Sequence, residues 1–226
     1  MSSIHRHRTL AAALIAFTLP LLSCERGGDR GPTPPSPDDP VTRALEIAEA
    51  YVDGYFRDFS DQAYDSGYTD LDYSRLVDHS LEALAAWKRR EDAWLEELRA
   101  IDPAALAGTE AEVAYAYALD RVESHAGLRA CRIELWNVSP AWTGWQSALA
   151  STFQQQPVGG DKERADALAR VRDAVRFIDT EITNLREGLR LGYAAPHGNV
   201  EAVLVQVGRL LEAAPEASPF YQPATR

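Results

Sequence analysis

This chain of 226 residues has little cysteine, little lysine and no surplus of positive charge. Only Cys24 and Cys131 are cysteines, so no disulfide framework can be built. With Cys24 committed to an N-terminal signal, Cys131 has no intramolecular partner and is expected to be a small buried side chain. Basic residues number 23 against 34 acidic ones, a net charge of −11, which argues against nucleic acid as a partner. No run alternates apolar and polar residues as a half-buried strand must. Histidine is also scarce: beyond the first seven residues there are only His79, His125 and His197, on three separate predicted elements. A catalytic zinc takes three protein ligands, often two histidines one helical turn apart, and no HxxxH pair is present; no catalytic or metal-binding residue is therefore assigned. Gly159-Gly160 lacks the repeated glycines and preceding strand of a phosphate-binding loop and reads as a turn. Paired acids such as Glu96-Glu97 and Glu110/Glu112 read as solvated helix faces.

What is present begins with the signal itself. Residues 1–23 join a basic start, His5 to Arg8, to an apolar run, Leu10 to Leu22, too short to span a bilayer. Leu21-Leu22-Ser23-Cys24 has the form of a lipobox, which makes Cys24 the expected lipidation site and an acyl anchor the expected link to the membrane. Glu25 stands where an aspartate would mark inner-membrane retention. The expected location is thus the bacterial cell envelope, at the periplasmic face of the outer membrane. Residues 24–40 complete the anchor with a tether carrying five prolines and three glycines, which cannot bury a core.

From residue 41 to 226 the pattern predicts an all-α domain, an antiparallel bundle or stacked hairpins of six to seven helices. Leu45, Ala48, Val52, Tyr55, Phe56 and Phe59 predict a first helix over 42–59. Ser74 is read as the cap of a second running to about Arg99. Thr109 to Glu112 reads as a capping box that launches a helix facing inward through Val113, Ala116, Tyr117, Leu119 and Val122. Ser139-Pro140 is read as the start of a helix to Gln155. Over 161–191, Ala165, Leu168, Val171, Val175, Ile178, Ile182, Leu185 and Leu189 keep to one side and are expected to face the core. Asn199 is read as the cap of a last helix whose inward face is Val203, Leu204, Val207, Leu210 and Leu211. Three indoles, Trp136, Trp142 and Trp145, lie within ten residues and supply much apolar surface. Together with Tyr68 and Tyr73 they are candidate interface residues, with core packing the plainer alternative.

The segment from Asn184 through Arg186, Gly188, Gly192 and Pro196, followed by Phe220 and Tyr221, resembles the middle of a bacterial family known as domain of unknown function 885 (DUF885). Gly67-Tyr68 and Ser74 to Leu76 fit it more loosely. The resemblance runs from about Val41 to the C-terminus and implies a lipid-anchored or secreted zinc metallopeptidase of the gluzincin kind, whose HExxH motif lies downstream of residue 226. His197 stands where the resemblance leads one to expect arginine. The chain is accordingly expected to be the non-catalytic N-terminal half of such a protein, truncated or split. The zinc and the catalytic residues would come from a C-terminal half or companion chain, acting on a peptide substrate. The alternative is a complete lipid-anchored helical binding module.

Overall fold

In a computed structural model, residues 39–64, 66, 68 and 71–225 are described. The signal, Cys24, most of the tether and Gly67 lie outside the described residues. Among these there are six α-helices, linked by short 3-10 turns, and no strand. The chain is all-α, as the periodicity predicts. None of the helices is long and apolar enough to cross a membrane.

Helix α1 (Pro40–Asp58) begins two residues earlier than predicted, at the last residue of the tether, because the Asp39 carboxylate accepts the Thr42 amide at 2.9 Å and Pro40 sits where no helical donor is needed. It packs with α2 (Leu81–Ala100) and α3 (Ala111–Leu128) into a three-helix layer. Its core is Ala44, Ile47, Leu98, Leu106, Ala118 and their neighbours, continued by Tyr51, Trp87, Leu95 and Val122. The expected inward face of α3 is off by a rotation. Val113 and Tyr117 are exposed, and Ala111, Tyr115, Ala118 and Val122 are buried. Alanines opposite Ala44 and Ala48 let the backbones approach, which a row led by Val113 and Tyr117 would prevent. The capping box is also shifted: Glu112 accepts from the Gly108 amide at 2.8 Å, while the Thr109 hydroxyl donates to the Leu106 carbonyl.

Helix α2 begins at Ser80, whose hydroxyl accepts the Ala83 amide, and not at Ser74. The Ser74 amide is held by the Asp72 carboxylate at 2.9 Å, a local turn that competes with helix. Residues 71–80 are therefore an irregular connector. Helix α4 (Trp145–Gln155) likewise starts later than Ser139-Pro140 suggests. The Ser139 carbonyl is taken by the Gln146 side chain at 2.6 Å, which closes residues 139–144 into a turn. A Cβ on Gly144 would meet that same carbonyl at 2.1 Å.

Helix α5 (Asp161–Arg190) is the longest, about 45 Å at ~1.5 Å per residue. With α4, connector residue Leu76 and the C-terminal turn it encloses a second core of Leu149, Phe153 and Phe177, against which Phe220 packs edge-on to Phe153 at 5.4 Å. Helix α6 (His197–Glu212) begins two residues before the predicted cap; Asn199 instead donates to the Val138 carbonyl at 3.0 Å.

Candidate functional site

The apolar row of α5 faces the core only in part. Leu168 is 59% exposed, Val175 66% and Leu189 67%, and Val171 is exposed as well, while Ile178, Ile182 and Leu185 are half-buried. The buried face is half polar: Arg170, Glu181 and Asn184 stand beside Ala167, Phe177 and Gly188. This rotates the buried face away from the expected one, and the connector 71–80 is the reason. Its backbone groups form no helix or sheet, so they need partners, and the polar row of α5 supplies them. Arg170, 0% exposed, donates to the Arg75 carbonyl at 2.9 Å, to Gln156 at 2.8 Å, to Ser60 at 3.3 Å and to the Tyr64 hydroxyl. Asp173 accepts the Leu76 amide at 2.8 Å, and Arg176 donates to the Leu76 carbonyl at 2.8 Å. Asn184 donates to the His79 carbonyl at 2.8 Å, and the His79 ring meets the Glu181 carboxylate at 2.6 Å. The Arg176 guanidinium beside it holds the Asp173 carboxyl below the usual carboxylate range, against the opposing pull of burial. Burial pushes the Tyr64 hydroxyl up to about 12 although Arg170 draws it down.

Sequence reasoning missed this row because Arg, Asp and Glu on a helix read as solvated. A signal was there: Arg170, Asp173, Phe177, Glu181, Asn184 and Gly188 recur at three- and four-residue spacing beside the apolar row, next to a connector that has no apolar period of its own.

The family-motif residues have identifiable work in this arrangement. Asn184 clamps the connector. A Cβ on Gly188 would meet the Leu135 carbonyl at 1.9 Å, so only glycine lets the 133–135 turn sit on α5. Gly192, at φ +86°, ends the helix in the left-handed region, and the Tyr193 amide reaches back to the Gly188 carbonyl at 2.9 Å. Pro196 precedes the first residue of α6, and Phe220 closes the second core. Arg186 and Tyr221 are exposed. Tyr221 and Phe220 border a groove of about 430 Å³ with Ala167, Leu168 and Val171.

The five candidate interface aromatics fall in different settings. Trp145 packs on the second core and Trp136 is half-buried, its Nε1 donating to the Cys131 carbonyl at 2.8 Å. Tyr73 stacks on Tyr64, with ring centres 5.3 Å apart, and lies 5.4 Å from the Arg170 guanidinium. Tyr68 bonds Asp53 through its hydroxyl and rests on Phe56. Trp142 alone is largely exposed, at 84%, on the rim of a groove of about 530 Å³ shared with Tyr64. Cys131 is exposed, contrary to the expectation of burial, because it lies in the 3-10 turn that follows α3 and packs against neither core.

On α6 Leu204, Val205 and Leu211 are exposed as well and only Val203 is buried. Leu204 and Leu211 thus do not reach the core they were expected to face. The turn of residues 139–144 is tied to α6 through polar groups: Gln206 donates to the Pro140 carbonyl and accepts from Gln146.

The histidines do not suit a zinc site. His79 is committed to Glu181, His125 to Glu91 at 2.9 Å with Arg121 on its other nitrogen, and His197 lies 3.5 Å from Glu201 on the exposed start of α6. Among the described residues, no three His, Cys, Asp or Glu side chains come together as metal ligands. Glu91 anchors a pair inside the three-helix layer. Burial pushes its pKa up, but hydrogen bonds from His125 and Arg129 outweigh this and leave it below the ordinary range.

No curated protein and no solved structure matches the chain. A family model described as bacterial protein of unknown function (DUF885) matches residues 61–226, more than half of the chain, and the protein belongs to that family.

Proposed function

We propose that residues 41–226 form the non-catalytic N-terminal half of a lipid-anchored, metallopeptidase-like protein of the cell envelope. Its zinc and catalytic residues are supplied by a C-terminal half or companion chain carrying HExxH. The observation that carries this reading is the uncovered apolar surface of α5 and α6. Leaving Leu168, Val175, Leu189, Leu204 and Leu211 in water forgoes about 25 cal/mol for every Å² that could be covered, and large apolar side chains left exposed in number favour an interface. Among the described residues His79, His125 and His197 lie on separate elements and share no cluster of metal ligands, so no step of zinc chemistry is assigned to them. The role left to the domain is to present a surface and one wall of a cleft for a peptide substrate. The family match begins after α1, so the apolar surface lies wholly within the matched part.

The test is genetic and then biochemical. The DNA beyond codon 226 and its neighbourhood is expected to encode a segment with HExxH. Co-expressed with residues 25–226, that segment is expected to copurify and to hydrolyse peptides only in the complex and only with zinc. A source genome with no such reading frame, or a catalytic segment fully active alone, would sink the reading.

A further inference from the structure

The exposed row of α5 has a finer pattern than amphipathicity. From Leu168 to Leu189 its apolar residues recur at alternating spacings of three and four, the a and d positions of about three heptads. A helix that lies on a broad core shows a wider apolar arc, whereas a strict a/d row is the seam of helix-on-helix, knobs-into-holes packing. On α5 Leu168, Val171, Val175 and Leu189 of this row are exposed and Ile178, Ile182 and Leu185 half-buried, while the row beside it holds the connector. The charges beside it are informative too. Arg172 and Arg186 are exposed along its open edge with Asp179 between them, and Arg190 beyond them is neutralised by Glu187 at 2.6 Å. Arg172 and Arg186 are paired with nothing among the described residues.

We propose that the α5 seam docks one helix of the catalytic half, about three heptads long, with apolar residues toward Val171, Val175 and Leu189 and acidic residues toward Arg172 and Arg186. The identity of that helix rests on the proposed function. A second copy of the chain is the weaker occupant, because two molecules of net charge −11 repel.

The experiment uses residues 25–226 and a labelled synthetic helix of three heptads, with Leu and Ile at a and d and Glu at the flanking positions, which also keeps the peptide from pairing with itself. Binding is followed by fluorescence anisotropy at low salt, beside sedimentation of the protein alone. The Glu-flanked peptide is expected to bind at least about ten-fold more tightly than a Lys-flanked copy, and Val175→Lys or Leu189→Lys to weaken it at least about ten-fold. Arg172→Glu with Arg186→Glu is expected to reverse the preference. Val113→Lys, equally exposed but on α3, is expected to leave binding unchanged. Because each position is exposed, the variants fold, which unchanged thermal melting verifies. Equal binding of both peptides, no binding, or a dimer abolished by Val175→Lys would overturn the proposal. Since no catalytic half is in the tube, these results do not depend on whether HExxH lies downstream.

Discussion

The two layers of this molecule solve the same packing problem in different ways. In α1–α3 the buried face is apolar, with Val113, Tyr117 and Leu128 of α3 left outside it, and the buried charge, Glu91, sits in a local cluster with His125 and Arg129. In α5 Arg170, Glu181 and Asn184 go in, and Arg170 and Asn184 hold residues 71–80 by their backbone, while Leu168, Val171, Val175 and Leu189 are left in water. A helix chooses its buried face by what lies against it. An irregular segment with unpaired amides and carbonyls demands donors and acceptors, and once α5 has supplied them its apolar side must find cover elsewhere.

The contrast can be broken most forcefully at Arg170. Arg170→Met leaves four acceptors around it without their donor and is expected to cost about 3–5 kcal/mol in urea unfolding. A loss below ~1 kcal/mol would mean the polar row is incidental. Leu98→Ala, in the three-helix core, is expected to cost about 2–5 kcal/mol by the same measurement. Gly188→Ala forces the Leu135 turn away from α5 and is expected to cost about 1–3 kcal/mol, with the loss of hydrogen-exchange protection confined to residues near 135 and 188.

Acid sharpens the comparison within α1–α3. Because the folded pKa of Glu91 is depressed, its contribution is present above the ordinary carboxylate value of 4.5 and is lost as the pH falls through the lower folded value. Glu91→Gln should therefore be less stable than the parent at pH 7, and the gap should narrow below that value; a gap independent of pH would remove the ion pair from the account. The smallest effect belongs to Leu189→Ala, which deletes the same atoms as Leu98→Ala yet is expected to change the stability of the isolated chain by less than about 0.5 kcal/mol. A large loss there would show that the α5 row is already covered.

Much of the architecture was legible in the residues. The helical span of α1, the break at Gln156 to Gly160 and the stop at Gly192 fall where local chemistry puts them, because side-chain period, breakers and left-handed glycine act over a few residues. The buried line of α1 is Ala44, Ile47, Ala48 and Tyr51, with the expected Leu45, Val52, Tyr55, Phe56 and Phe59 only half-buried beside it. The starts inferred at Ser74, Ser139 and Asn199 failed for one shared reason: in each neighbourhood a side chain or carbonyl that could have capped a helix is used in another contact, Ser74 with Asp72, the Ser139 carbonyl with Gln146, Asn199 with Val138. The exposure of Cys131 likewise depends on where the turn after α3 lands. Nor could spacing reveal the Arg170 site, since nothing in the order of residues says that Tyr64, Arg75 and Gln156 meet around one guanidinium.

By itself the sequence determined that the described chain is helical, where α5 runs and stops, that its apolar residues form one row, and which family it resembles; all of these follow from periods and caps that act along the chain. Only the tertiary structure decided which side of α5 is buried, because that depends on the hydrogen-bonding needs of a connector about a hundred residues away. Burial follows the partner, and a helix's own pattern states only which faces it can offer.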